Sequence, residues 1–130
     1  MISDGQLRLG IATDLGMATT LIRNRLSDCD ALILEANHDV EMLRLSGRPW
    51  SLIQRILGRQ GHLSNEASAD LLASVLGPRL RVVFMAHLSV DCNTPALAEN
   101  AMREVLKRAG REDIRLVRTR ADAILSLIHI

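Results

Sequence analysis

The chain has 130 residues, 48% of them hydrophobic and 24% charged, and its sixteen Lys and Arg nearly cancel fifteen Asp and Glu to leave a formal net charge of +1. Such a composition suits one domain of ordinary size with a buried core and excludes a disordered chain. With one Phe, one Trp and no Tyr, the core must be aliphatic, and an aromatic platform for stacking unpaired bases is not expected. The overall charge decides nothing about partners, because only a local patch of Lys and Arg is needed to meet phosphates. Cys29 and Cys92 stand far apart without a CxxC, and no signal-type segment follows the first residues. The expectation is a reduced, cytoplasmic chain. No apolar run reaches the roughly 18 residues of a membrane span, so no membrane contact is expected.

In chain order, "LRLGIAT" at 7–13 predicts a strand that stops at Asp14-Leu15-Gly16. A helix follows with Met17, Leu21, Ile22 and Leu26 on one face, then a second strand, "ALILE", at 31–35. Short helices are expected over 40–45 and 50–57, broken by Gly47 with Pro49 and by Gly58 with Gly61. Ser64 is a good N-cap for a helix that turns Ala67, Leu71, Leu72 and Val75 inward and stops at Gly77-Pro78. A buried strand at 80–86 ends at His87, and Thr94-Pro95 opens a helix with Ala98, Ala101, Met102, Val105 and Leu106 inward. Gly110 closes that helix before a last strand at 114–118. Strands alternating with helices define an α/β layered chain with parallel pairing. The two His-Leu-Ser copies, at 62–64 and 87–89, do not make a repeat, and neither a P-loop nor a GxGxxG is present.

In open α/β sheets, ligands gather beyond the carboxyl ends of the strands. This chain puts Asp14 after its first strand, Glu35 and His38 at and beyond the end of the second, and His87 after the third, with His62 in a loop that opens a helix. Taken singly, each has a plainer role: Asp14 as a turn or cap residue, His38 as a cap, His62 as a turn residue and His87 as a satisfied half-buried histidine. Only their joint placement at one rim favours a site. Without an HxH or HExxH, the metal signal is weak on spacing alone.

Four stretches carry a resemblance: "GIATDLG" at 10–16, "LEANHDVEML" at 34–43, "PWSLIQRILGRQGHLSNEASADLL" at 49–72 and "AHLSVDCNTPALA" at 86–98. In this order and spacing they resemble the YycJ/WalJ-like group of metallo-β-lactamase-fold hydrolases, over nearly all of residues 7–109. The resemblance implies a two-metal hydrolase with an αββα sandwich, related to ribonucleases Z and J and acting on nucleic-acid phosphodiesters. By the same resemblance Asp14 matches the aspartate that bridges two divalent ions, zinc or manganese, and His87 the histidine that completes the second ion's shell. Glu35 is similar to the glutamate of the ribonuclease Z HEAT-type motif, and His62 to the histidine it orients. These two would form the catalytic pair, with His62 held protonated to stabilise the phosphate or protonate the leaving oxygen. His38, Ser64 and Asn93 are expected to meet the substrate. Arg44, Arg48, Arg55 and Arg59 are expected either to meet a nucleic-acid backbone or to form a solvated basic face.

The chain departs from that pattern in three places. It contains no HxHxDH, the group's first metal motif, so residues 1–124 are expected to form the C-terminal half of the sandwich, with the N-terminal half as its missing partner. Such a half should expose an apolar face and be sticky in isolation. Cys92 stands where the group usually has Asn, and a thiol there packs as a small hydrophobe. Finally "LSLIHI" at 125–130 resembles the translation of a sequencing adapter, so these residues are expected to be non-native and His129 is not counted as a ligand; the plain alternative is a short edge strand. An ester or thioester hydrolase of the same fold and a non-catalytic interaction domain are the competing functions.

Overall fold

Short runs rich in Leu, Ile and Val at 8–12, 31–35, 82–86 and 115–118 have the residue types that pack on a pleated surface, and they form a parallel sheet. The computed structural model describes residues 7–13, 17–58 and 61–119, together with the backbone of 2–3. In chain order the elements are β1 (Ile2–Ser3), β2 (Arg8–Ala12), α1 (Thr20–Leu26), β3 (Ala31–Glu35), α2 (Val40–Arg44), α3 (Trp50–Leu57), α4 (Asn65–Val75), β4 (Val82–Ala86), α5 (Pro95–Arg108) and β5 (Arg115–Arg118). The sheet order is β1-β2-β3-β4-β5, with β1 antiparallel to β2 and the other neighbours parallel. Among the described residues no helix is long and apolar enough to cross a membrane.

One face of the sheet, with Ala12, Leu32, Leu34, Val83 and Met85, packs against Leu26 of α1, Leu71, Leu72 and Val75 of α4, and Ala98, Met102 and Leu106 of α5. Each such leucine or methionine removed from water contributes about 1.5–3 kcal/mol. Local chemistry sets the helix limits. Thr19, Asp39, Ser64 and Thr94 each accept a backbone N–H of the first turn through the side chain, and Pro95 occupies the first position of α5. Gly110, with φ +69, lies just past the end of α5. The opposite face of the sheet carries Ile33 and Ala86, fully buried, with Leu9, Ile11 and Phe84 partly buried around them, among the described residues a cluster of strand side chains only.

At the amino end of the strands, Asp30 ties two neighbours together. Its carboxylate accepts the Arg8 N–H at 2.8 Å and the Arg79 guanidinium at 2.9 Å. The Arg8 amide, followed by Arg79, holds the Asp30 carboxyl below the usual carboxylate range.

The expected α/β class is observed, and the described residues form one sheet with three helices packed on one face. Two details differ from expectation. The helix over 20–26 begins only at Thr20, capped by Thr19, so its inward stripe is Ile22 and Leu26, four apart, while Leu21 is 61% exposed and Met17 precedes the helix. The strand at 2–3 was not expected, because two residues carry no periodicity. The tail at 125–130, with His129, lies outside the described residues.

Gly10 sits where β2 passes under α1. A Cβ there would meet Leu26 Cδ2 at 2.6 Å, Leu32 Cδ2 at 2.8 Å and Cys29 Sγ at 3.0 Å. Gly10→Ala should therefore destabilise the fold by about 1–3 kcal/mol through overpacking, read as a lower urea midpoint with an unchanged m-value.

Candidate active site at the carboxyl edge of the sheet

Beyond Glu35 the chain continues as an extended segment, 36–39, held on both sides. On one side lies 62–65: Asn37 N–H donates to the Leu63 carbonyl at 2.9 Å, Asn65 N–H to the His38 carbonyl at 2.8 Å, and His38 forms a parallel bridge with Ser64. On the other lies 86–92: Ala36 N–H donates to the Ala86 carbonyl at 3.0 Å, Ser89 N–H to the Asn37 carbonyl at 2.7 Å and Asp39 N–H to the Cys92 carbonyl at 2.8 Å. The two His-Leu-Ser segments thus flank the end of β3, one on each side, and deliver one histidine each to Glu35.

Glu35 is fully buried. Its Oε1 lies 2.7 Å from His62 Nδ1 and 3.4 Å from His87 Nδ1. Both imidazoles are partly exposed, with side-chain exposures of 40% and 33%, so the carboxylate forms the floor of the site and the rings face outward from it. A carboxylate that engages Nδ1 fixes the tautomer and the direction of a ring, the arrangement that commonly orients histidines for catalysis or metal binding. His62 reaches this position because Gly61 lets the chain turn tightly at the end of α3: Gly61 N–H donates to the Gly58 carbonyl and His62 N–H to the Ile56 carbonyl, and a Cβ on Gly61 would collide with that Ile56 carbonyl. His87 has φ +55, the only non-glycine residue in the left-handed region among those described. Backbone strain of this kind collects at functional sites.

The remaining expected site residues divide by depth. His38 is only 1% exposed and lies under the rim, its Nδ1 3.2 Å from Asn37 Oδ1 and its Nε2 without a hydrogen-bond partner among the described residues. Burial, followed by the nearby His62, pushes the His38 pKa below the ordinary 6.5, with Asp39 opposing weakly. Ser64 caps α4 through the Ala67 N–H at 3.0 Å. Asn93 is buried in a reciprocal amide pair with Asn65, at 2.7 and 2.9 Å, and also donates to the Ala36 carbonyl at 2.8 Å. Cys92 packs with Leu43 and Ile53, fully buried. Arg44 and Arg55 are exposed on α2 and α3, and Arg48 lies 3.5 Å from Asp91. Asp14 and Arg59 lie outside the described residues, and among the described residues no group of three or more His, Cys, Asp and Glu is placed to hold a metal ion. Two residues of this edge were not singled out from the sequence: Asn65, hidden in the first turn of a helix, and Asn37, whose side chain donates to the His87 carbonyl at 2.9 Å.

A parallel α/β sheet with a buried carboxylate beneath two histidines at its carboxyl edge has the layout of an active site built on loops around a rigid sheet. No protein-family model matches the chain. Its sequence is 37% identical over 103 residues to exodeoxyribonuclease YycJ of Bacillus anthracis, covering 79% of this chain and 39% of that protein. It is 38% identical over 99 residues to exodeoxyribonuclease WalJ of Streptococcus pneumoniae, covering 76% of this chain and 37% of that protein. The chain therefore spans about two fifths of the length of the curated relatives it matches.

Two measurements probe this edge. Because the folded pKa of His38 is depressed, the unfolded state binds more protons once the pH falls below 6.5; the stabilisation is present above that value and is lost on acidification, by at most about 1.4 kcal/mol per pH unit. In urea melts between pH 7.5 and 5, His38→Gln should flatten that loss. Glycine adopts φ +55 without penalty, so His87→Gly should be more stable than His87→Ala by about 1 kcal/mol.

Proposed function

We propose that the chain belongs to a metal-dependent phosphodiesterase that removes nucleotides from DNA, with Glu35 and His62 as its proton-handling pair and His87 as a metal ligand. The observation that carries this reading is the fully buried Glu35 holding Nδ1 of His62 at 2.7 Å and lying 3.4 Å from that of His87. The names of the relatives supply the substrate class, nucleic acid.

His87, turned by a carboxylate, has the chemistry of a ligand histidine, and Asp14, an acid following a strand, is the second donor we assign. Two divalent ions, zinc or manganese, would supply Lewis acidity toward the phosphate and the attacking water. The chain's own residues do the rest. Glu35 fixes the His62 ring so that its other nitrogen faces the reacting phosphodiester, to stabilise its charge or give a proton to the leaving oxygen. Arg44 and Arg55 add positive charge on the neighbouring helices, suited to the phosphates of the strand. The carboxylate itself is withdrawn from solvent beneath the rings, which strengthens its hold on both of them.

The test is DNA hydrolysis by the intact protein with divalent metal. Glu35→Gln and His62→Gln should each lower kcat about 100-fold or more with little change in KM, and chelation should abolish turnover. Turnover of small esters or thioesters with no attack on DNA would replace the nuclease reading by that of a small-molecule hydrolase. Calorimetric zinc or manganese uptake should fall in Asp14→Ala and His87→Ala; equal uptake in all forms would remove both from the ligand set.

A further inference from the structure

The Glu35, His62 and His87 cluster leaves one thing unexplained: what holds His87 in a backbone conformation that a histidine resists. Asn37 makes the contacts that do so. Its Nδ2 donates to the His87 carbonyl at 2.9 Å, and its own backbone carbonyl accepts the Ser89 N–H at 2.7 Å, so one residue grips the chain at His87 and again two residues later. A carbonyl can only accept, which assigns the amide nitrogen of Asn37 to His87 and its Oδ1 to His38 Nδ1, 3.2 Å away. His38 must then carry its proton on Nδ1. Its Nε2, fully buried and unpartnered among the described residues, is left as a bare lone pair, which is less costly than a stranded N–H.

We propose that Asn37 is a positioning residue for the site: its carboxamide clamps the left-handed turn at His87 so that the imidazole reaches Glu35, and buried His38 anchors the other end of that carboxamide. The clamp uses both ends of one rigid amide, so it has no rotational slack. Rotating it by half a turn would set oxygen against the His87 carbonyl and NH2 against the His38 N–H. Without the clamp, the turn at His87 can relax out of the left-handed region and carry the ring off the carboxylate, while His62, fixed through α3 and Gly61, stays in place.

The discriminating variants are Asn37→Asp, of the same shape and still an acceptor for His38, and Asn37→Ala, which removes both contacts. Imidazole nitrogen chemical shifts of the intact protein, recorded at one fixed alkaline pH, report which nitrogen bears the proton. In wild type both His62 and His87 should show Nδ1 protonation. In both variants His87 should lose that signature and His62 should keep it. The kinetic arm rests on the proposed function: kcat on DNA should fall about tenfold or more with KM within about twofold. An unchanged His87 signature in both variants overturns the inference, whatever happens to activity. A lost His87 signature in a protein that does not hydrolyse DNA even as wild type leaves the clamp standing and refutes the nuclease reading.

Discussion

The edge of the sheet is organised by one buried carboxylate. Glu35 is the last residue of β3, paired in register with Ala86 of β4, and has no solvent exposure. A carboxylate out of water costs several kcal/mol unless donors surround it, and a strand end in the middle of a parallel sheet can recruit donors only from the segments beside it. Both neighbours answer with a histidine. The carboxylate's need for partners and the two rings' need for orientation are met by the same contacts, so removing Glu35 would unsettle the packing and the chemistry together.

What allows this convergence is the extended segment after β3. Residues 36–39 continue the strand with loops on each side instead of strands, and the hydrogen bonds from Asn37, Asp39, Asn65 and Ser89 extend the ladder past the sheet. Beneath it Asn65 and Asn93, both buried, bond each other through their side-chain amides. A reciprocal buried amide pair of this kind specifies one arrangement where an apolar layer would tolerate several. The amino end of the sheet has its own tie, Asp30 with Arg8 and Arg79, so the strands are held in register at both ends.

Much of this was legible in the sequence, for identifiable reasons. Strand ends and helix starts are marked by strong local signals, Ser64, Thr94-Pro95 and Gly110 among them, and these bracket the elements to within a residue or two. The partnership of His62 with Glu35 was expected from the motif resemblance, and the geometry brings the two side chains together. Depth was not legible. His38 reads as a rim residue because it follows a strand, yet two flanking segments cover it, and covering is a long-range property that no local pattern encodes. Asn37 and Asn65 escaped notice for a related reason: a carboxamide beside a motif histidine has no signal of its own, and only its distance to the His87 carbonyl or to Asn93 gives it a role.

The two faces of the sheet show a further division of labour. One face is sealed by aliphatic side chains of α1, α4 and α5, while on the other, among the described residues, only strand side chains gather, Leu9, Ile11 and Phe84 around Ile33 and Ala86. Burial on the first face supplies the hydrophobic free energy that holds the strands together. The second face contributes less of it, because its outer residues stay partly exposed. Cys92 lies with neither face but with Leu43 and Ile53, in a small cluster that joins α2 and α3 to the loop following His87. A movement of α3 would therefore reach both histidines of the site, His62 through the Ile56 carbonyl that its N–H engages and His87 through the loop that Cys92 anchors. The Glu35 floor is fixed by the sheet, whereas His62 is held by one short helix and the tight turn after it, and His87 by Asn37 and the loop that Cys92 anchors.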